Sequence, residues 1–276
     1  MVKYLLLTFD LEEFVLADEY NLDIDDEDKY NLSIQGLQRI ILLLKKHNIK
    51  CTFFTTYEFA MKAKKLISQL AKEGHEIALH GYSHDKKPFR NKKSMLKLAE
   101  AKKGLEKMFK TNVFGFRNPQ LQGVDYAFLK KIGLQYDSSY HPTYLPGYYN
   151  HFFGPRKVFS KEGMIIVPIS VAALFRLPFS WIFFRNLPLL YSKFCAYLAD
   201  INTDYLNIYI HPWEFADIKD YLKINKLKDK GIIYKLSVNK TGSYLANKLD
   251  KYISWLKNNQ YQGITIVDYL QKKGLL

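Results

Sequence analysis

The sequence predicts an α/β protein whose parallel sheet, assembled from βα units, forms a barrel in a single domain spanning residues 1–276. Three observations predict it. Apolar runs of strand length alternate with apolar residues at helical spacing, the pattern of strand–helix crossovers. The connections are short, and no repeat or low-complexity linker interrupts them. Ionisable residues gather where the apolar runs end, and a parallel barrel builds its site at the C-terminal ends of its strands. The length agrees, because such barrels fill about 250 residues as one domain.

The first run, Lys3 to Phe9, is led by Leu5, Leu6 and Leu7, and Ile34, Leu37, Ile41 and Leu44 then recur at helical spacing. The pattern repeats with Cys51 to Thr55 and a helix through Phe59, Ala63, Leu66 and Leu70. After Gly74 come Glu76 to Leu79 and a helix through Met95, Leu98, Leu105 and Met108. Further strands are expected at Val113 to Phe116, Met164 to Val167 and Leu206 to Ile210. A late helix passes through Leu245, Leu249, Ile253 and Leu256, and a last strand covers Gly263 to Val267. Asp18 to Asp28 packs seven acids without the spacing or glycine of a calcium loop and reads as a surface loop. Val171 to Ala199 is apolar and aromatic, but Arg176, Arg185 and Lys193 interrupt it and Pro178 and Pro188 divide it. Charges are expensive at a membrane centre, so it reads as a buried helix covering one end of the barrel rather than a span.

Hydrophobic residues make up 48% of the chain and charged residues 25%, which excludes a disordered polymer. Two cysteines, Cys51 and Cys195, provide neither a disulfide framework nor a thiolate metal site, so any metal must sit on His, Asp or Glu. No apolar signal core with a cleavage site opens the sequence, and the expected location is the cytoplasm. The formal charge is +14, with seven lysines between Lys219 and Lys240. No nucleic-acid motif accompanies them, so a nucleic-acid partner is not expected. The lysines read as a solvated face able to meet anionic lipid or the phosphates of a linked sugar at the inner membrane face, with Phe179, Trp181 and Phe183 at the interface.

The chemistry lies at strand ends. Asp10 and Glu12 follow the first run at i and i+2, which on an extended chain puts both carboxylates on one face and turns Leu11 to the core. His80 and His84 are separated by three residues, a spacing that suits two metal ligands on one turn, and one carboxylate completes a three-ligand site with room for water. The HExxH arrangement is absent, since His80 comes five positions after His75. Arg117 and His211 follow two other strands.

Taken in order, Thr8-Phe9-Asp10-Leu11-Glu12-Glu13, Cys51-Thr52-Phe53-Phe54, Gly74 to His84, Phe116-Arg117-Asn118-Pro119, Tyr136-Asp137-Ser138-Ser139 and Ile208 to Glu214 resemble the motifs of the polysaccharide deacetylases with a NodB-homology domain. The final His211-Pro212-Trp213-Glu214 resembles the branch found in bacterial exopolysaccharide and capsule biosynthesis. The resemblance implies a distorted parallel (β/α) barrel and metal-dependent removal of N-acetyl groups from an amino sugar. By its residues, Asp10 is the general base, His80 and His84 bind the metal, Arg117 orients the base, His211 is the general acid and Asp137 pairs with His211. The family's commonest form has two adjacent aspartates. Here Leu11 takes the second place, so Glu12 is expected to serve as the third ligand. The implied cofactor is a divalent metal, Zn2+ first, with a backbone N–H near Gln120 holding the oxyanion and Trp213 as wall. The partner is an N-acetylated sugar, free, nucleotide-linked or lipid-linked. Two other readings stand beside this one: a related barrel hydrolysing C–N bonds of small ring amides or ureides, and a catalytically silent glycan-binding protein.

Overall fold

A computed structural model describes residues 2–146, 148–219, 221 and 231–276. Strands β1 (Lys3–Leu11), β2 (Thr52–Thr56), β3 (Glu76–Gly81), β4 (Gly115–Phe116), β5 (Tyr136–Asp137), β9 (Met164–Ile166) and β10 (Tyr205–Ile210) pair in parallel in the order β10-β1-β2-β3-β4-β5-β9. β8 (Phe159–Lys161) adds antiparallel to β9, and the short β11 (Tyr261–Gly263) pairs in parallel with β1. β6 (Tyr144–Leu145) and β7 (Tyr149–Asn150) form a separate hairpin. The sheet curls into a mostly parallel half-barrel with helices around it. Every residue of β2 and β10 is buried, as expected for strands covered on both faces. Where the ladder ends, Ser170 N–H donates to Asn207 O at 2.9 Å, and Asn207 Nδ2 donates to the Val167 and Pro168 carbonyls, drawing β9's continuation against β10.

Register decides where the chemistry goes. Phe9 lies beside Phe53 and Ile210, and Asp10 beside Phe54, so the carboxyl ends of β1, β2 and β10 lie together at one rim. The outer helices include α1 (Leu16–Glu19), α2 (Asp26–His47), α3 (Tyr57–Lys62), α4 (Lys64–Lys72), α5 (Lys92–Phe109) and α6 (Tyr126–Lys131). Gly36 of α2 has no room for a side chain, since a Cβ there would lie 1.7 Å from the carbonyl oxygen of Pro212. That close approach seats the loop after β10 directly against α2.

Three sequence expectations are corrected. The acid-rich 18–28 segment is not a plain loop: Leu16–Glu19 is helical, and Asp25 caps α2 by accepting from Asp28 N–H at 2.7 Å. Its acids favour a helix N-terminus by complementing the dipole, and Asp18 and Asp26 also pair with Lys29. The expected strand Gly263 to Val267 is a strand only at Tyr261–Gly263. Thr265 then caps a helix, Ile266–Lys272, by accepting from Asp268 N–H at 3.0 Å, so a local side-chain cap overrides the β-branched run.

The third correction concerns 171–199. It folds as an isolated bridge between Val171 and Pro178, then α7 (Trp181–Asn186) and α8 (Leu189–Ala199). Phe179, Phe184 and Cys195 are buried, so Phe179 is at no interface, whereas Leu174, Phe175, Leu190 and Tyr197 are exposed. Among the described residues no helix is long and apolar enough to cross a membrane. The helices close with α9 (Ile232–Val238), α10 (Ser243–Asn258) and α11 (Ile266–Lys272). Of the lysine-rich segment, only Lys219, Lys235 and Lys240 fall among the described residues.

Candidate active site

Because β1 stays extended through Leu11, Asp10 and Glu12 project on one face while Leu11 joins the core. β3 ends at His80 and Gly81, and Gly81 adopts φ +119°, a conformation that glycine tolerates without strain and that turns the chain toward His84. The Nε2 atoms of His80 and His84 then lie 3.2 and 3.3 Å from Glu12 Oε2, a group whose ligand atoms all fall within 4.8 Å of one another.

This arrangement fits a cation. His80 Nδ1 lies 2.8 Å from the carbonyl oxygen of Arg117, which only accepts, so Nδ1 carries the hydrogen and the Nε2 lone pair faces Glu12. Both Glu12 oxygens are buried without a hydrogen-bond partner. Burial, reinforced by Asp10 and opposed by His84, pushes the Glu12 carboxyl up to about 8. A divalent ion held by Glu12, His80 and His84 would supply the positive charge this group lacks, and two imidazoles with one carboxylate form a donor set that zinc favours.

Asp10 lies beside this group with one oxygen committed. Arg117 Nη1 donates to Asp10 Oδ1 at 2.7 Å and also to Thr8 Oγ1 at 2.8 Å. The guanidinium is fixed by Ser138, whose carbonyl and hydroxyl accept from Nε and Nη2, and it stacks 4.1 Å from the Phe54 ring centroid. Burial raises the Asp10 carboxyl, but Arg117, His80 and His211 outweigh it and hold the group below the usual aspartate range. Asp10 is therefore a carboxylate with Oδ2 left for chemistry.

His211 follows β10, with Nε2 4.0 Å from Asp10 Oδ2 and 3.8 Å from Glu12 Oε1. Its Nδ1 meets Glu214 Oε1 at 2.9 Å, and Glu214 Oε2 is paired with the buried Arg185. Here the structure departs from expectation. Asp137 is not the partner of His211; its carboxylate accepts from the hydroxyl and N–H of Ser139, while Ser139 Oγ accepts from Asn118 N–H at 2.8 Å. Asp137 thus braces the loop carrying Arg117, and burial raises its carboxyl to about 6.

The sequence reading missed Thr8, Ser138, Arg185 and Glu214. A signal existed for two of them: Glu214 closes the His211 motif, and Arg185 is one of three cations in a largely apolar run, which when buried demands a partner. The cleft is walled by the rings of Tyr20, Tyr148, Tyr149, Trp181, Tyr209 and Trp213, apolar surfaces of the kind that a sugar ring can stack against. Gln120 also lines it, with its side chain tied to Glu19 at 2.6 Å.

Residues 3–136 match the family model described as polysaccharide deacetylase. A 46-residue segment is 46% identical to the peptidoglycan-N-acetylglucosamine deacetylase of Bacillus cereus, spanning 17% of this chain and 17% of that protein. The matched segments thus span only about a sixth of the curated relatives. A provisionally assigned polysaccharide deacetylase from Mycobacterium smegmatis superposes with a TM-score of 0.64 at 18% identity, covering 100% of this chain and 93% of that one. PuuE allantoinase superposes with a TM-score of 0.60 at 16% identity, covering 96% of this chain and 88% of that one. At such identities these structures share the fold.

Proposed function

We propose that this chain, which belongs to the polysaccharide deacetylase family through residues 3–136, is a metal-dependent hydrolase that removes the N-acetyl group from an amino sugar. The observation that carries this reading is the buried Glu12 carboxylate, without a hydrogen-bond partner and facing two imidazole nitrogens. Glu12, His80 and His84 would hold the ion, Zn2+ being the natural choice. Bound there, it supplies Lewis-acid polarisation of the acetamide carbonyl and lowers the pKa of water toward about 7.

The remaining steps belong to the chain. Asp10, its Oδ1 occupied by Arg117, takes the water proton on Oδ2 as the water oxygen bonds to the carbonyl carbon. A backbone N–H near Gln120 would donate to the resulting oxyanion. Burial lowers the His211 imidazole to about 3, so the ring starts neutral and Nε2 takes the proton that Asp10 removed from water, across the 4.0 Å between their facing atoms. His211 then donates it from Nε2 to the sugar nitrogen as the C–N bond breaks, because an amine leaves poorly until protonated. Acetate and the amino sugar result, and both groups are left as they began. Asp137 contributes as a brace for the Arg117 loop.

The same reading places the substrate on a glycan precursor, lipid-linked or nucleotide-linked. The cleft mouth supports a lipid: Tyr148 and Ile233 both wall the cleft and are 48% and 56% exposed, beside Ile232 at 74%. An apolar rim of this kind suits a membrane surface at the cytoplasmic face, and Cys51 and Cys195, both free and buried, agree with a reducing compartment. The test is metal analysis of purified protein with an acetate-release screen over N-acetylated sugars, with and without a chelator. Stoichiometric metal and chelator-sensitive acetate release support the reading; ammonia or ureide products would favour a ring C–N hydrolase, and sugar binding without turnover a silent binding protein.

A further inference from the structure

The proposed reaction assigns His211 a proton but does not explain how the ring is aimed. We infer that Glu214 and Arg185 are a buried positioning pair: Glu214 fixes the tautomer of His211, and Arg185 fixes which way Glu214 faces. The inference rests on the reading of His211 as proton donor.

Both side chains are fully buried. Glu214 Oε1 accepts from the backbone N–H of His211 at 2.8 Å and lies 2.9 Å from Nδ1, while Oε2 takes the Nη1 hydrogen of Arg185. A carboxylate accepts only, so Nδ1 must carry the hydrogen and Nε2 becomes the atom presented to the cleft. Arg185 cannot turn away. Its Nε donates to Asn239 O at 2.7 Å and its Nη2 to the Leu236 and Ser237 carbonyls, at the end of the helix whose Ile233 and Ser237 wall the cleft. Trp213 touches both partners: His211 stacks on it at 5.4 Å and the guanidinium lies 5.7 Å from its ring centroid. A buried ion pair is a poor source of stability, because desolvation offsets the attraction. Its value here is geometric.

The chemistry of an amide makes the pair testable. In Glu214→Gln a single oxygen must choose between the Arg185 cation on one side and the backbone N–H and Nδ1–H of His211 on the other, and the cationic side competes more strongly. With the NH2 turned to His211, the backbone N–H loses its acceptor and Nδ1 faces a donor, so the Nδ1–H tautomer loses its advantage and the hydrogen moves to Nε2. Removing the cation as well, in Arg185→Met/Glu214→Gln, frees the oxygen to return to His211. Nitrogen-15 NMR of histidine-labelled, zinc-saturated protein, with His211 assigned through His211→Ala, reads the tautomer whether or not a substrate turns over.

We expect Nδ1–H in the wild type, a shift to Nε2–H in Glu214→Gln and return to Nδ1–H in the double variant. With N,N′-diacetylchitobiose as probe, kcat should fall about 10²-fold in Glu214→Gln with KM changed less than about threefold, and recover at least tenfold in the double variant. Zinc content should be unchanged throughout. If Glu214→Gln does not fold, Arg185→Met/Glu214→Leu replaces it, since leucine packs but cannot accept and should lose the Nδ1–H preference. A wild-type tautomer in Glu214→Gln or in the leucine variant, or a double variant no better than Glu214→Gln, overturns the inference. A wild type that releases no acetate from any N-acetylated sugar of the screen defeats the reaction as read, while the tautomers still decide the pair.

Discussion

Two carboxylates, Asp10 on β1 and Glu12 just past its end, carry different loads because their neighbours differ. Asp10 is held ionised by Arg117, whereas Glu12 faces two imidazoles and has only the weak approach of the Trp213 indole beside them. Glu12→Gln is therefore expected to empty the metal site, as are His80→Ala and His84→Ala, with the fold retained; metal analysis after gel filtration checks this. Asp10→Asn and His211→Ala should keep the metal and lose about 10²-fold to 10⁴-fold in turnover. If Asp10→Asn empties the site and Glu12→Gln does not, the roles are exchanged. At this scale the sequence was legible wherever spacing along one strand or turn sufficed, as for Asp10, Glu12, His80 and His84. It misassigned the partner of His211 because Asp137 and Glu214 are both acids in motif positions, and only the turn at Pro212–Phe215 brings Glu214 back onto the imidazole.

Elements place these residues by close packing, which makes small changes informative. Gly36→Ala should improve helix propensity by about 1 kcal/mol in an open helix. Here the added Cβ meets the Pro212 carbonyl at 1.7 Å, and overpacking costs about 1–3 kcal/mol. A lowered melting temperature with reduced turnover is expected, and an unchanged or raised melting temperature would contradict the packing. His75, between α4 and β3, is buried with Nδ1 accepting from Cys51 N–H at 3.3 Å, and burial with Lys50 and Lys45 lowers its imidazole to about 4. Between about 4 and 6.5 the unfolded chain binds the extra proton, so stability from this group is complete above pH 6.5 and is lost toward pH 4, up to about 3 kcal/mol. Urea unfolding at pH 7.5 and 5 should show a smaller acid loss for His75→Gln than for wild type; equal losses would remove His75 from the account. The element boundaries that the sequence misjudged were set by side-chain caps, at Asp25 and Thr265, which compete locally with hydrophobic pattern.

At the scale of the molecule, a metal that binds only the folded site stabilises by about 2.7 kcal/mol at a hundred times its Kd, so zinc should raise the melting temperature by several degrees and a chelator should reverse it. No shift with zinc at any concentration would contradict the site. A charge of +14 with an apolar cleft rim predicts co-flotation with anionic liposomes that fades at high salt; no binding at low salt would leave a sugar free of lipid as substrate. By itself the sequence determined the alternation of strands and helices, the rim at which ionisable residues collect and the grouping of Glu12 with His80 and His84, because period, strand end and short spacing are properties of local chain. Only the tertiary structure decided that Glu214 rather than Asp137 meets His211, that Arg185 is a buried partner and that Phe179 belongs to the core. Those outcomes depend on contacts between segments distant along the chain, whose geometry is fixed by how the sheet curls and which helix lies against which loop.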